Sequence, residues 1–171
     1  MTEMPFFVAR VLIQAGAPVN LTSESYESPL TLSCCGGHAE LLLIDAGANI
    51  EETNDENYTP LMEAAREGHV HVVKILLENG AQVNATTDET METALTVAAC
   101  GGFTLSLEKS VSSCVIPSID FRFTYFQNFD YDGRTALMKA AKNGFTEIVE
   151  FLVTKGVDVG FCFVFSIGSA L

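Results

Sequence analysis

The sequence predicts an all-α solenoid of stacked helix-turn-helix units, with an irregular insert in the third. Three observations predict it. The phrase [ST]-[PA]-L, followed by an Ala- or Cys-containing run and a Gly, recurs at Ser28-Pro29-Leu30, Thr59-Pro60-Leu61, Thr93-Ala94-Leu95 and Thr135-Ala136-Leu137, its starts 31, 34 and 42 residues apart. Self-similarity at such a period marks repeat architectures. Two copies, TPLMEAAREGHVHVVKILLENG at 59–80 and TALMKAAKNGFTEIVEFLVTKG at 135–156, align without a gap. Finally, 171 residues at 48% hydrophobic and 18% charged supply ample apolar material for a packed core.

Taken in order, residues 8–20 (VARVLIQAG onward) read as only the second helix of a preceding unit. Unit one, 21–51, is two residues short, because Glu40 runs straight into Leu41-Leu42-Leu43-Ile44 where unit two has Val72 and Val73 in between. Losing two residues rotates a helical face by about 200°, so this unit is expected to pack less well. Unit two, 52–84, is the clearest. Thr59 can cap its first helix, and Pro60 has a preset φ where no donor is needed. Ala64 and Ala65 allow close approach, Gly68 can end the helix in a left-handed conformation, and Val72, Val73, Ile75, Leu76 and Leu77 form the second helix before Gly80. Helices this short are marginal alone and must stack, burying side chains at roughly 1.5–3 kcal/mol each. Unit three, 85–103, keeps its first helix but loses the second to an insert, 104–129, whose alternating Phe121, Phe123 and Tyr125 suggest strand propensity. Unit four occupies 130–159. An uncharged apolar tail, 160–171, is expected to cover Ile148, Phe151 and Leu152 as a partial cap.

These residues closely resemble the ankyrin-repeat family: TPLMEAAREGH followed by a V-V-x-x-L-L run and GAQVNA at 80–85. SPLTLSCCGGH, EETNDENYTPLMEAAREGH and ETALTVAACGGF look more narrowly like the ankyrin arrays of ankyrin-repeat and KH-domain (MASK-type) proteins. The resemblance covers about 8–103 and 130–159 and implies a non-catalytic scaffold that binds a protein through hairpin tips and the exposed side of the first helices. As an alternative it implies a fragment of a larger MASK-type, RNA-associated scaffold whose KH domain lies outside this chain.

Charge narrows the partners. Twenty-two acidic against nine basic residues give −13, which lacks the phosphate-neutralising surface of a nucleic-acid binder and disfavours docking on an anionic leaflet. A protein partner with a basic surface is expected, with no direct nucleic acid, no membrane and no small-molecule substrate. Five cysteines, without a CxxC pair or a Cys/His ladder, support neither a disulfide scaffold nor a zinc site. With no signal-peptide pattern and no apolar stretch of about 18 residues, a cytoplasmic protein is expected, with the nucleus as second compartment.

Chemistry is sparse. His38 and His69 occupy equivalent positions after the inter-helix Gly, where Phe103 and Phe145 stand in the other units, so both read as structural. His71 reads as a surface residue. Cys35 and Cys100 are likewise equivalent and are assigned to packing. The competing enzyme class would use Cys34, Cys35 and His38 as nucleophile and base and would require a perturbed thiol. No phosphate loop or KH-type GxxG is present, and Glu51-Glu52 and Asp55-Glu56 lack calcium-loop spacing. No enzyme activity, cofactor or metal is therefore expected. Carried over from the resemblance position by position, the partner-binding residues are Asp55, Glu56, Tyr58, Arg66 and Glu67 in unit two, and Tyr131, Asp132, Arg134, Lys142 and Asn143 in unit four. Tyr58 and Tyr131 are the expected aromatic anchors.

Overall fold

A computed structural model describes residues 4–38, 41–102, 130–154 and 157. Among them are eight helices and no strand: α1 (Met4–Gln14), α2 (Pro29–Cys35), α3 (Leu41–Asp45), α4 (Pro60–Arg66), α5 (Val70–Glu78), α6 (Ala94–Gly101), α7 (Ala136–Asn143) and α8 (Thr146–Thr154). The 104–129 insert, with its expected strand character, and the 160–171 tail lie outside the described residues, as do Glu40 and Phe103.

Each first helix starts as the [ST]-[PA]-L phrase dictates. The hydroxyls of Ser28, Thr59, Thr93 and Thr135 accept the N–H of Thr31, Met62, Thr96 and Met138, satisfying a donor that the first turn leaves orphaned. Thr96 returns the bond to Thr93, closing a capping box. The first helices stack in chain order, α2 on α4, α4 on α6 and α6 on α7, while α5 backs α4 and α8 backs α7. Flanked on both sides, α4 buries every residue from Pro60 to Ala65 and α6 every residue from Ala94 to Ala99. The stack is thus continuous across the 42-residue spacing: unit four docks on unit three as a direct neighbour.

α3 has five residues and α5 nine; α5 buries Val72, Val73, Ile75 and Leu76.

Consecutive units lock at the inter-helix turn. The His69 ring lies over Gly37 of the preceding unit, with its Nε2 2.9 Å from the Cys35 carbonyl oxygen, and the Phe145 ring lies over Gly102 in the same way. Both glycines are left-handed, φ +72° and +82°, and a Cβ there would meet the rings at 2.7 and 2.9 Å. His69 and Phe145 are interchangeable because a flat ring is what the position needs. The packing assignment of Cys35 and Cys100 requires correction: Cys100 is exposed, Cys35 is half-buried, and the buried thiol is Cys34. Cys34 lies one turn after Leu30 on the inward face, and Cys35 is rotated off it.

Candidate functional site

Four hairpin tips precede the four first helices, and each is closed in one way. The N–H of Ser23, Asn54, Thr87 and Asp130 donates to the carbonyl of Glu27, Tyr58, Glu92 and Arg134 at 2.9–3.2 Å. The side-chain oxygens of these four starting residues accept the returning N–H groups of the same partners. Unit three spans five residues where the others span four, which accounts for one residue of its longer spacing. Two positions before each capping Ser or Thr the backbone is left-handed: Tyr26 (φ 58°), Asn57 (φ 60°), Met91 (φ 53°) and Gly133 (φ 73°). Only unit four places a glycine there; a bulky residue in this conformation costs about 1–2 kcal/mol. Tyr26 and Met91 are also exposed, and neither is among the expected anchors. Gly133, at the aligned position, was the available signal.

Two adjoining grooves run between the tips. One, of about 420 Å³, is lined by Asp55, Glu56, Asn57, Tyr58, Thr87, Glu89 and Thr90. The second, of about 330 Å³, runs from Glu89, Thr90, Tyr131, Asp132 and Arg134 at the tips to Cys100, Lys142 and Asn143 at the far ends of α6 and α7, with Glu92, Asp130 and Lys139 along its length. They share Glu89 and Thr90. The tips are tied together by backbone bonds, Asp55 N–H to Ser25 O at 3.3 Å and Tyr131 N–H to Thr90 O at 2.8 Å.

Of the ten expected residues, Asp55, Glu56 and Tyr58 line the first groove, and Tyr131, Asp132, Arg134, Lys142 and Asn143 the second. Tyr131 is 81% exposed at its tip. Tyr58 is half-buried, and its hydroxyl donates to Glu92 Oε2 at 2.9 Å while the Arg66 guanidinium lies 5.3 Å from its ring centroid. Burial and the Glu92 bond push this phenol up to about 12. Arg66 pairs with Glu56 at 3.1 Å, Glu63 at 2.7 Å and Glu67 at 3.2 Å, beside the grooves. Arg134 pairs with Asp132 at 2.9 Å, and Asn143 donates to the Cys100 carbonyl at 3.1 Å.

Sequence reasoning missed unit three's contribution altogether. Glu92 accepts from Tyr58 of unit two and from Lys139 of unit four, and Lys139 also lies 3.2 Å from Asp130. Burial pushes Glu92 up, but the hydrogen bond and charge of Lys139, with the Tyr58 and Thr90 hydroxyls, outweigh it and hold the carboxylate below its ordinary value. Burial would likewise lower Lys139, but Glu92 and Asp130 outweigh it and hold the ammonium above its ordinary value. One polar chain therefore joins three units along the groove.

Cys34 and Cys35 are the reverse of activated nucleophiles. Burial pushes Cys34 up to about 12, and Cys35 is also raised, by burial and then by Glu63 and Glu67. His38 is exposed and bends back over Gly36 of its own turn. Cys35, Glu63 and Glu67 bring their ligand atoms within 4.8 Å of one another, the one such cluster among the described residues. Arg66 already fills it. Glu63 Oε2 is buried with no aligned hydrogen bond and lies 2.7 Å from the guanidinium, Asn54 Nδ2 donates to Oε1 at 2.9 Å, and burial keeps this carboxyl above its ordinary value despite both.

A stack of capped helix pairs with a polar groove along its tips defines a helical-repeat solenoid whose chemistry lies in its surface. The profile of ankyrin repeats (three copies) matches residues 4–87 and again 86–161, and the chain belongs to the ankyrin-repeat family. It is similar to the ankyrin repeat and KH domain-containing protein mask-1 of Caenorhabditis elegans, with 34% identity over 212 aligned residues, 90% of this chain and 8% of the relative. It is also similar to ankyrin repeat and KH domain-containing protein 1 of Homo sapiens, 54% identical over 77 residues, and to mask of Drosophila melanogaster, 52% identical over 77 residues. Each of these two alignments covers 44% of this chain, and 3% and 2% of the respective relative. The chain thus spans 8% or less of these relatives' length. No described helix is long and apolar enough to cross a membrane.

Proposed function

We propose that this chain is a non-catalytic protein-interaction scaffold that binds a partner with a basic surface, in the cytoplasm, through its hairpin tips and the exposed side of its first helices. The observation that carries this reading is the gathering of expected contact residues from units two and four around adjoining grooves that meet at Glu89 and Thr90. Tyr131 is the exposed anchor. Tyr58 serves the face from inside, holding Glu92 in place. Of the first groove's charged residues, Asp55, Glu56 and Glu89 are all acidic. The likeness to ankyrin-repeat and KH-domain proteins over 90% of the chain favours a second, compatible reading: the solenoid is the interaction segment of a longer scaffold whose KH domain lies elsewhere.

A photo-cross-linking residue at Tyr131 or Glu89 should capture a protein from cell extract, whereas the same residue at His71 or Lys74, exposed on α5, should not. Equal capture from both faces refutes the assignment.

A further inference from the structure

The grooves are polarised, and the polarity specifies the shape of what they take. At the end between units two and three, Asp55 and Glu89 are exposed and make no ion pair among the described residues; Arg66 is committed to Glu56, Glu63 and Glu67, and Arg134 is paired with Asp132. At the far end, Lys142 is exposed and likewise unpaired among the described residues, while Lys139 is buried under Glu92 and Asp130. Thr87, Thr90 and Asn143 line the path with Tyr58 and Tyr131, and no aliphatic residue is among its lining. An amphipathic helix needs an apolar trough; a polar path with charged ends suits an extended segment.

Its register follows from repeat geometry. From the tip to Lys142 is roughly 12 Å of helical rise at about 1.5 Å per residue, and the step from unit three to unit four adds roughly 10 Å sideways. Glu89 and Lys142 are then roughly 16 Å apart, which about five residues of extended chain span at ~3.3 Å each.

We infer that the grooves take an extended segment of a partner protein bearing a lysine or arginine for the Asp55 and Glu89 end and, about five residues away, a carboxylate for Lys142. This rests on the reading that the groove face is the interaction face. The experiment separates the two.

Fluorescent short peptides are titrated against the full chain: one with Lys and Asp about five residues apart, one with the same residues adjacent, one with Lys at both positions, and one neutral. The spaced peptide should bind about tenfold tighter than the others. Asp55→Asn with Glu89→Gln should remove the advantage, and Lys142→Glu should transfer it to the all-lysine peptide, with unchanged melting temperatures showing that the variants are folded. Equal binding of the spaced and all-lysine peptides, insensitive to Lys142→Glu, overturns the polarity and leaves the interaction face standing. If no peptide binds while Tyr131 still cross-links a protein, the extended segment is wrong and the face is right; if both fail, both readings fall.

Discussion

Lys139 is the residue whose removal should cost most outside the apolar core. It is 8% exposed, its ammonium in contact with Glu92 and 3.2 Å from Asp130. Lys139→Met keeps the length of the stem and deletes the charge, leaving two carboxylates facing each other across the interface between α6 and α7. Breaking a buried ion pair from one side costs about 3–5 kcal/mol when the stranded charge cannot be rehydrated. Glu92 opens onto the groove, its side chain 18% exposed. The expected cost is therefore about 2–3 kcal/mol, or roughly 5–10 °C in melting temperature for a chain of this size. Glu92→Gln in the same background removes most of the stranded charge, so the double variant should be less destabilised than the sum of the singles by about 1–2 kcal/mol. Urea denaturation of the wild type, both singles and the double gives that coupling. A Lys139→Met variant within about 0.5 kcal/mol of wild type, or strict additivity, would show that the chain of charges does not hold unit four to unit three.

Gly37→Ala and Gly102→Ala each impose a left-handed alanine and drive a Cβ into a ring at 2.7 or 2.9 Å, so each should cost more than Gly80→Ala, whose Cβ meets nothing within 4 Å. The conformational part is about 1–2 kcal/mol, and adding His69→Ala to Gly37→Ala should recover the steric excess in thermal melts. Tyr58 should ionise near 12, and Tyr58→Phe should delete that step from a tyrosinate absorbance titration. Since its folded value lies above the ordinary 10, the neutral form is favoured by folding, and stability should fall as pH rises from about 10 through about 12. Eight carboxylates and no Lys or Arg between Glu24 and Glu56 should steer a basic partner: the association rate should drop markedly from about 0.05 to 0.5 M salt with dissociation little changed, and a salt-independent on-rate would remove this face from the encounter.

What the sequence made legible is what local chemistry decides. A hydroxyl followed by Pro or Ala and Leu, then small residues and a Gly, encodes cap, close approach and stop within one helix, so all four first helices were foreseen in place. Whatever depends on the neighbouring unit was hidden. Glu92 and Lys139 are 47 residues apart, and nothing in their surroundings announces that the insert lets α6 and α7 stack directly. Tyr58 is expected as an anchor because large rigid side chains dominate interface energetics; only the adjacent tip shows that its hydroxyl also bonds Glu92. Cys34 and Cys35 were confused for a subtler reason, since a one-residue rotation on a seven-residue helix separates the core from its edge.

The same groups serve stacking and recognition, and that ties the two together. Glu92 and Lys139 line the second groove and also join units three and four, while Tyr58 lines the first and joins unit two to Glu92. A solenoid's stability is a sum of unit and nearest-neighbour terms, so unit four can detach while units one to three stay stacked. Detachment destroys the second groove and strands Glu92. A ligand seated there binds only the docked form and stabilises it by about 2.7 kcal/mol at a hundredfold excess over its dissociation constant. That stabilisation belongs to the interface between α6 and α7, so a groove ligand should slow amide exchange in α7 and α8 and leave α1 unchanged. Uniform protection along the array would mean that the units open as one block and that the polar chain is not the joint at which the solenoid yields.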